Sequence, residues 1–386
     1  MIIENVKIVR PGDIQHHLWS RISLFLNIEN TASLIVKLHN LTTNSEKQNA
    51  KKQASEIRHC LIQAKEYFDA AKKVSLATKP VLLYYSIMSL ALAEVLLKQT
   101  ADSRLEKLRA HHNCHGLQTL ISSKPKTDDP LQISSKSIVC KAQTDSKNIP
   151  RGTFEVWRRS AREYPVGAYT TTNLQNGASQ TGYRSHLQPA DIAPSPLPSH
   201  GISLYECLAE LPYMADVLQN LGGEPNFVRG KIVVTQNGIS GDPVSTLIIH
   251  PQKLDLIDKF GSLVKADAAS INTLNIIETI PSGYLISQTL KNGEPSIRTY
   301  PHSICLNDED IFFSCSNINF GEFGILYLAI HMAGNFARYY PDIWLNHIEK
   351  SSPLATAIEE LCHHSFDRLP LLILSELTRT YYVLGK

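Results

Sequence analysis

The sequence predicts an α+β fold: one helical body assembled from both chain ends, with a mainly antiparallel, β-rich insert in the middle. Three observations carry this expectation. A nearly all-apolar helix starts at Pro80 and runs Val-Leu-Leu-Tyr-Tyr-Ser-Ile-Met-Ser-Leu-Ala-Leu-Ala-Glu-Val-Leu-Leu to Leu97. Such a helix needs protein on every side. Apolar helical faces return at the far end of the chain, in Glu322–Tyr339 and beyond. Between them the period switches to two, in runs such as Phe227–Gln236 and Val244–His250. The 386 residues accordingly divide into a helical half (1–121), a loop-rich linker (122–200), an α/β insert with hairpins (201–318) and C-terminal helices (319–386) that pack back on residues 50–117.

Residues 12–40, with Trp19, Ile22, Phe25, Ile35 and Leu38, read as irregular or short helical cover for the core. Between Ala50 and Val74, Ala54, Ile57, Leu61, Ala64, Phe68 and Ala71 recur at alternating steps of three and four. That spacing makes one apolar helix face. The short link Ser75–Lys79 implies that the buried helix lies antiparallel to it. Pro80 suits the first turn, where a missing N–H costs nothing.

After a polar segment from Arg104 to Leu117, the stretch Ser122–Pro130 is a loop and Ser137–Lys141 a short strand. Residues 170–200, rich in Asn, Gly and Pro, form a long surface excursion suited to docking. A helix is expected over Ser203–Leu221. Hairpins are expected at Tyr284–Tyr300 around Lys291-Asn292-Gly293-Glu294 and at Ser303–Ser314. The last helices are Glu322–Tyr339, Pro353–Cys362 and Arg368–Leu384, with Asp367 capping the third.

Composition excludes several classes. A net charge of +2 produces no strong overall field toward nucleic acid or acidic lipid. The N-terminus lacks the apolar core of a signal peptide. The buried helix, interrupted by Ser86, Ser89 and Glu94, falls short of the roughly 20 apolar residues that span a bilayer. Seven scattered cysteines without a Cys-x-x-Cys pair fit reduced thiols in the cytoplasm. P-loop, Rossmann and nucleophile-elbow motifs are missing, which argues against ATP hydrolysis, dinucleotide binding and α/β-hydrolase chemistry.

The runs Ala64-Lys-Glu-Tyr67-Phe68-Asp-Ala-Ala71, Thr78-Lys-Pro80-Val-Leu-Leu-Tyr84-Tyr85 and His115-Gly116-Leu117 resemble, in this order, motifs of the bacterial YaaC-like proteins. Ala337-Arg338-Tyr339-Tyr340-Pro341-Asp-Ile-Trp344 resembles their C-terminal region. The resemblance covers both helical ends and says little of residues 120–300. Its two-helix core is similar to HEPN-type helical domains of bacterial toxins and anti-phage systems, which implies a HEPN-like helical domain here.

HEPN ribonucleases place Arg four to six residues before His, and Arg109-Ala-His-His-Asn-Cys-His115 meets that spacing. The imidazole would move the proton of a ribose 2′-OH while the guanidinium steadies the phosphate, without metal. The alternative reading makes His115 a backbone partner at a helix end and Gly116 a positive-φ cap. His111, His112, Cys114 and His115 crowd one short segment, and no spacing rule joins them to Cys362, His363 and His364, so a bound metal is not expected. Asp308-Glu309-Asp310 reads as a solvated hairpin tip. Trp157, Arg158, Arg159 and Arg162 mix cations with an aromatic, as nucleic-acid grooves and partner interfaces both do.

Two functions follow. The first is an accessory or interaction subunit of a bacterial defence module, without its own catalysis or cofactor, acting on a protein partner. The second is a metal-independent ribonuclease using Arg109 and His115, with RNA as partner and a homodimer as its working form. Neither involves a membrane.

Overall fold

The computed structural model describes residues 5–10, 12–98, 105–109, 113–160, 168–173, 178–183, 196–235, 244–249, 255–256, 258–260, 262, 274–280, 283–289, 303–306, 311–316, 318 and 320–385. The chain starts with strand β1 (Asn5–Val9), helix α1 (Ile14–Ile22), a 3-10 turn and helix α2 (Ile28–Leu38). Asp13 and Asn27 cap the two helices by accepting from the N–H groups of His16 and Asn30. Helix α3 (Asn44–Lys73) begins before the expected Ala50, because Thr43 and Glu46 form a reciprocal capping box.

Helix α4 (Lys79–Lys98) is the apolar segment that the sequence places at the centre. The Ser86 hydroxyl donates to the Ala64 carbonyl at 2.9 Å, and the Gln53 amide donates to the Leu96 carbonyl. Those pairings run α4 antiparallel to α3. Its length and mean hydropathy of 1.8 would let it cross a bilayer, yet most of its surface is buried.

The next elements are α5 (Leu105–Leu108), β2 (Leu117–Ile121), α6 (Leu131–Lys136), β3 (Ile138–Ala142) and α7 (Thr153–Ser160). Strand β3 matches its expected position within a residue, whereas β2 has no counterpart in the sequence reading. Within residues 170–200, strands β4 (Ala168–Asn173) and β5 (Ala178–Tyr183) pair as an antiparallel hairpin. Residues 174–177 and 184–195 of that excursion lie outside the described residues.

Strand β6 (Ile202–Ser203) leads into α8 (Leu204–Ala209), a 3-10 turn (Pro212–Met214) and α9 (Ala215–Asn220). The single helix expected over Ser203–Leu221 is thus broken. Pro212 has no N–H to donate and pushes Leu211 into an extended conformation. Strands β7 (Phe227–Thr235) and β8 (Val244–Ile249) are antiparallel, as are β9 (Leu274–Ile280) with β10 (Gly283–Thr289) and β11 (Ser303–Cys305) with β12 (Ile311–Ser314). The partner expected for β10, at 296–300, lies outside the described residues; β10 pairs instead with β9 and β8. These strands build an eight-stranded sheet ordered β11-β12-β7-β8-β10-β9, with the β4–β5 hairpin joined to β7.

Helix α10 (Glu322–Tyr339) has the bounds read from the sequence. Helix α11 (Pro341–Glu349) then opens with Pro at its first position. The two helices expected next are one, α12 (Pro353–Thr378), which Ser352 caps and which continues through Pro370. Asp367 is therefore an interior residue, and its carboxylate accepts from the Gln15 amide at 2.8 Å. The helix ends at Arg379 in the left-handed region (φ 56°), and strand β13 (Thr380–Leu384) returns to pair with β1 in parallel. The two chain ends meet in this pair. Helix α4 is enclosed by α3, α7, α10 and α12.

The helical body and the large sheet are tied at Glu210, just past α8. Its carboxylate accepts from the Asn226 amide at 2.7 Å, the Asn226 N–H bonds the Ala209 carbonyl, and the Asn226 carbonyl accepts from Cys315 N–H. Burial pushes the Glu210 carboxyl from 4.5 up to about 7. The folded state therefore holds this proton more tightly than the unfolded chain, so the buried carboxyl costs stability as pH rises from 4.5 to 7. Glu210→Gln removes the titration. In urea unfolding, wild type should lose roughly 2–3 kcal/mol relative to that variant between pH 5 and pH 8.

Candidate functional site

His115 stands on a short connection between α5 and β2 whose backbone is held from two sides. Thr153 N–H donates to the Cys114 carbonyl at 2.9 Å, and Phe154 N–H donates to the His115 carbonyl at 3.1 Å. Gln143 N–H donates to the Gly116 carbonyl. Gly116 (φ +82°) and Gly152 (φ +95°) touch backbone to backbone, an approach that any Cβ would block. Gly116 has the positive φ read from the sequence, but it opens a strand rather than closing a helix.

The half-buried His115 side chain is directed at α4. Its Nδ1 lies 2.9 Å from the Tyr84 hydroxyl, and the Tyr84 and Tyr85 rings stand edge-on to it at 5.3 and 6.4 Å. Helix α10 supplies the third wall. It crosses α4 closely at Gly334, where a Cβ would stand 3.2 Å from the Pro80 carbonyl and 3.3 Å from Tyr84 Cβ. His331, Asn335 and Arg338 follow one another along one helical face by steps of four and three. The buried His331 ring lies 4.9 Å from Tyr84 and 6.4 Å from His115, and its Nε2 accepts from the Asn335 amide at 3.0 Å. The exposed Arg338 donates from Nη1 to the Tyr85 hydroxyl at 2.9 Å. Tyr85 is stacked on Tyr67 with centroids 5.3 Å apart.

Burial, and next the neighbouring Tyr327, push the Tyr84 phenol far up, so it stays protonated. Burial first, and the Arg338 charge second, push the His115 imidazole below its ordinary value. Burial and His115 push His331 down to about 3. Both imidazoles are neutral at pH 7. The Tyr84 hydroxyl shares a hydrogen bond with His115 Nδ1 and also meets the buried Tyr327 hydroxyl. A phenol that donates there leaves the His115 proton on Nε2. The site thus presents the Arg338 N–H donors, ring faces and the His115 Nε2.

The other residues singled out by the sequence land elsewhere. Arg109 is exposed at the turn closing α5, and among the described residues it has no bond to His115. The guanidinium brought close to His115 is that of Arg338, from the other end of the chain. Trp157 is 1% exposed, and its indole N–H donates to Glu94 at 2.9 Å. Glu94 also pairs with Lys98, which bridges to Glu376 at 2.7 Å. Arg158 is buried and grips Glu155 through Nε and Nη2, both at 2.7 Å, while the more exposed Arg159 bonds the same carboxylate. Trp157 and Arg158 are thus core and ion-pair residues, because the amphipathic α7 turns that face onto α4 and α10. Arg162 lies outside the described residues, as do His111, His112 and 307–310. Among the described residues no three His, Cys, Asp or Glu side chains converge as metal ligands.

Tyr84, Tyr85, His331, Asn335 and Arg338 were not assigned roles from sequence. Two signals pointed to them: the Tyr-Tyr and Arg-Tyr pairs within the resemblance, and the His331/Asn335/Arg338 stripe. The family model described as YaaC-like Protein matches residues 24–377. No curated protein and no solved structure matches the chain.

Proposed function

The chain belongs to the YaaC-like family, and from that premise we propose that it is an accessory or sensing subunit of a bacterial cytoplasmic defence module, with a HEPN-like helical core. It acts by holding a ligand or protein partner at the Tyr84–His115–Arg338 site, and it has no catalysis of its own. The carrying observation is the engagement of His115 Nδ1 by the Tyr84 hydroxyl at 2.9 Å. A general base needs a free lone pair facing the substrate. Here the phenol occupies Nδ1, and where it donates that bond the remaining nitrogen carries the proton. Free thiols at the six cysteines whose side chains are described suit a reducing compartment.

The test is incubation of the purified chain with total RNA in EDTA, beside Arg109→Ala and His115→Ala. All three samples should leave the RNA intact. Cleavage by wild type that disappears in His115→Ala would overturn this reading. It would establish the second one, a metal-independent ribonuclease, which the half-buried imidazole beside a guanidinium favours. In that reading Arg338 rather than Arg109 would meet the phosphate.

A further inference from the structure

Arg338 differs from the paired cations elsewhere in the helical body. Arg158 and Arg159 meet Glu155, Arg368 meets Glu322, and Lys98 meets Glu94 and Glu376. Arg338 is held by two neutral tyrosines. One N–H donates to the Tyr85 hydroxyl, and the guanidinium lies 5.1 Å from the Tyr339 ring centroid. Among the described residues no carboxylate pairs with it. Hydrogen bonding and cation–π contact fix the planar fork in place without neutralising it. Four of its five N–H donors are left for an incoming group.

The second group is His115, whose Nε2 is a donor when the Tyr84 phenol donates to Nδ1. Tyr85 links the two, since its hydroxyl holds Arg338 and its ring stands beside His115. Beside Arg338, Tyr339 is 60% exposed and offers a flat aromatic face at a charged rim.

We propose that Arg338 and His115 form a receptor for the phosphate of a nucleoside phosphate, with Tyr339 as the face against which the base packs. The guanidinium fork matches two phosphate oxygens, and the imidazole N–H reaches a third. An aromatic face contributes about 1–3 kcal/mol when a base stacks on it. The assignment rests on the sensing role proposed above, because it needs His115 as a donor.

The experiment is calorimetric titration of the full chain with AMP, GMP, CMP and UMP, with the matching nucleosides and with inorganic phosphate. At least one nucleotide should bind on the order of tenfold tighter than its nucleoside and than phosphate, as one charge-assisted contact set implies. Arg338→Gln should remove that gain, and Arg338→Lys, which keeps charge without the fork, should lose most of it. Both substitutions lie on the surface and should leave the melting temperature in place. Tyr339→Ala should weaken the nucleotide and not phosphate. If no nucleotide outbinds its nucleoside, or if Arg338→Gln leaves binding unchanged, the receptor does not exist. If phosphate alone binds as well as the nucleotide, the nucleoside assignment is wrong. Failed binding with intact RNA refutes only this inference, whereas His115-dependent RNA cleavage refutes the sensing role itself.

Discussion

Arg368→Met should cost the fold about 3–5 kcal/mol, because it leaves a buried carboxylate without its counter-ion. Arg368, on α12, faces Glu322 in the first turn of α10. Its Nε donates to Oε1 at 2.5 Å and its Nη2 to Oε2 at 2.6 Å. The two side chains are 6% and 4% exposed. Burial opposes the charge on Arg368, and the facing carboxylate more than offsets it, so its pKa stands above the ordinary arginine value. The pair also fixes the start of α10, the helix that carries His331 and Arg338. Removing both charges is a different case from removing one. In Glu322→Leu/Arg368→Met no charge is stranded, and most of the loss should return. Urea midpoints of wild type, both single variants and the double variant measure this directly. A single-variant loss under about 1 kcal/mol would mean that water reaches Glu322.

The elements that sequence reasoning located share a property: their signal is local. The all-apolar run of α4, the β-rich runs of β7 and β8 and the β11–β12 hairpin are each legible within a short window. Where long-range packing decides, the reading failed. A proline normally ends a helix, yet α12 continues through Pro370, with Leu369, Leu371, Ile373 and Leu374 buried around it. The burial of that apolar face outweighs one missing backbone bond. The same limit governs the site. The sequence motif singles out His115 and offers Arg109 as a cation at a neighbouring spacing. The structure brings the Arg338 guanidinium within electrostatic reach of His115, on a helix that follows the β-rich middle. Trp157 and Arg158 looked like a surface mixture because no local pattern reveals that Glu94 and Glu155 await them.

Gly152→Ala should be the most damaging small substitution near the site, and its effect should reach His115 without touching that side chain. An alanine Cβ at 152 would lie 2.3 Å from Gly116 Cα and 2.4 Å from Gly116 N. Those are backbone atoms, so no rotamer change relieves the clash. The residue also sits at φ +95°, which costs a side-chain-bearing residue about 1–2 kcal/mol by itself. Overpacking adds about 1–3 kcal/mol, for a total of roughly 2–5 kcal/mol. Gly222→Ala is the control: its φ is +74°, but nothing lies within 4 Å of the added carbon. It should lose only the conformational part. The functional consequence separates the two further. Residues 114–116 can accommodate the Cβ at 152 only by moving away from α7, which breaks the bonds from Thr153 and Phe154 and carries His115 off Tyr84. The His115 imidazole nitrogens, followed by NMR, should then lose the tautomer that the Tyr84 hydrogen bond fixes in Gly152→Ala and keep it in Gly222→Ala. If the tautomer survives in Gly152→Ala, the paired glycines do not position the imidazole.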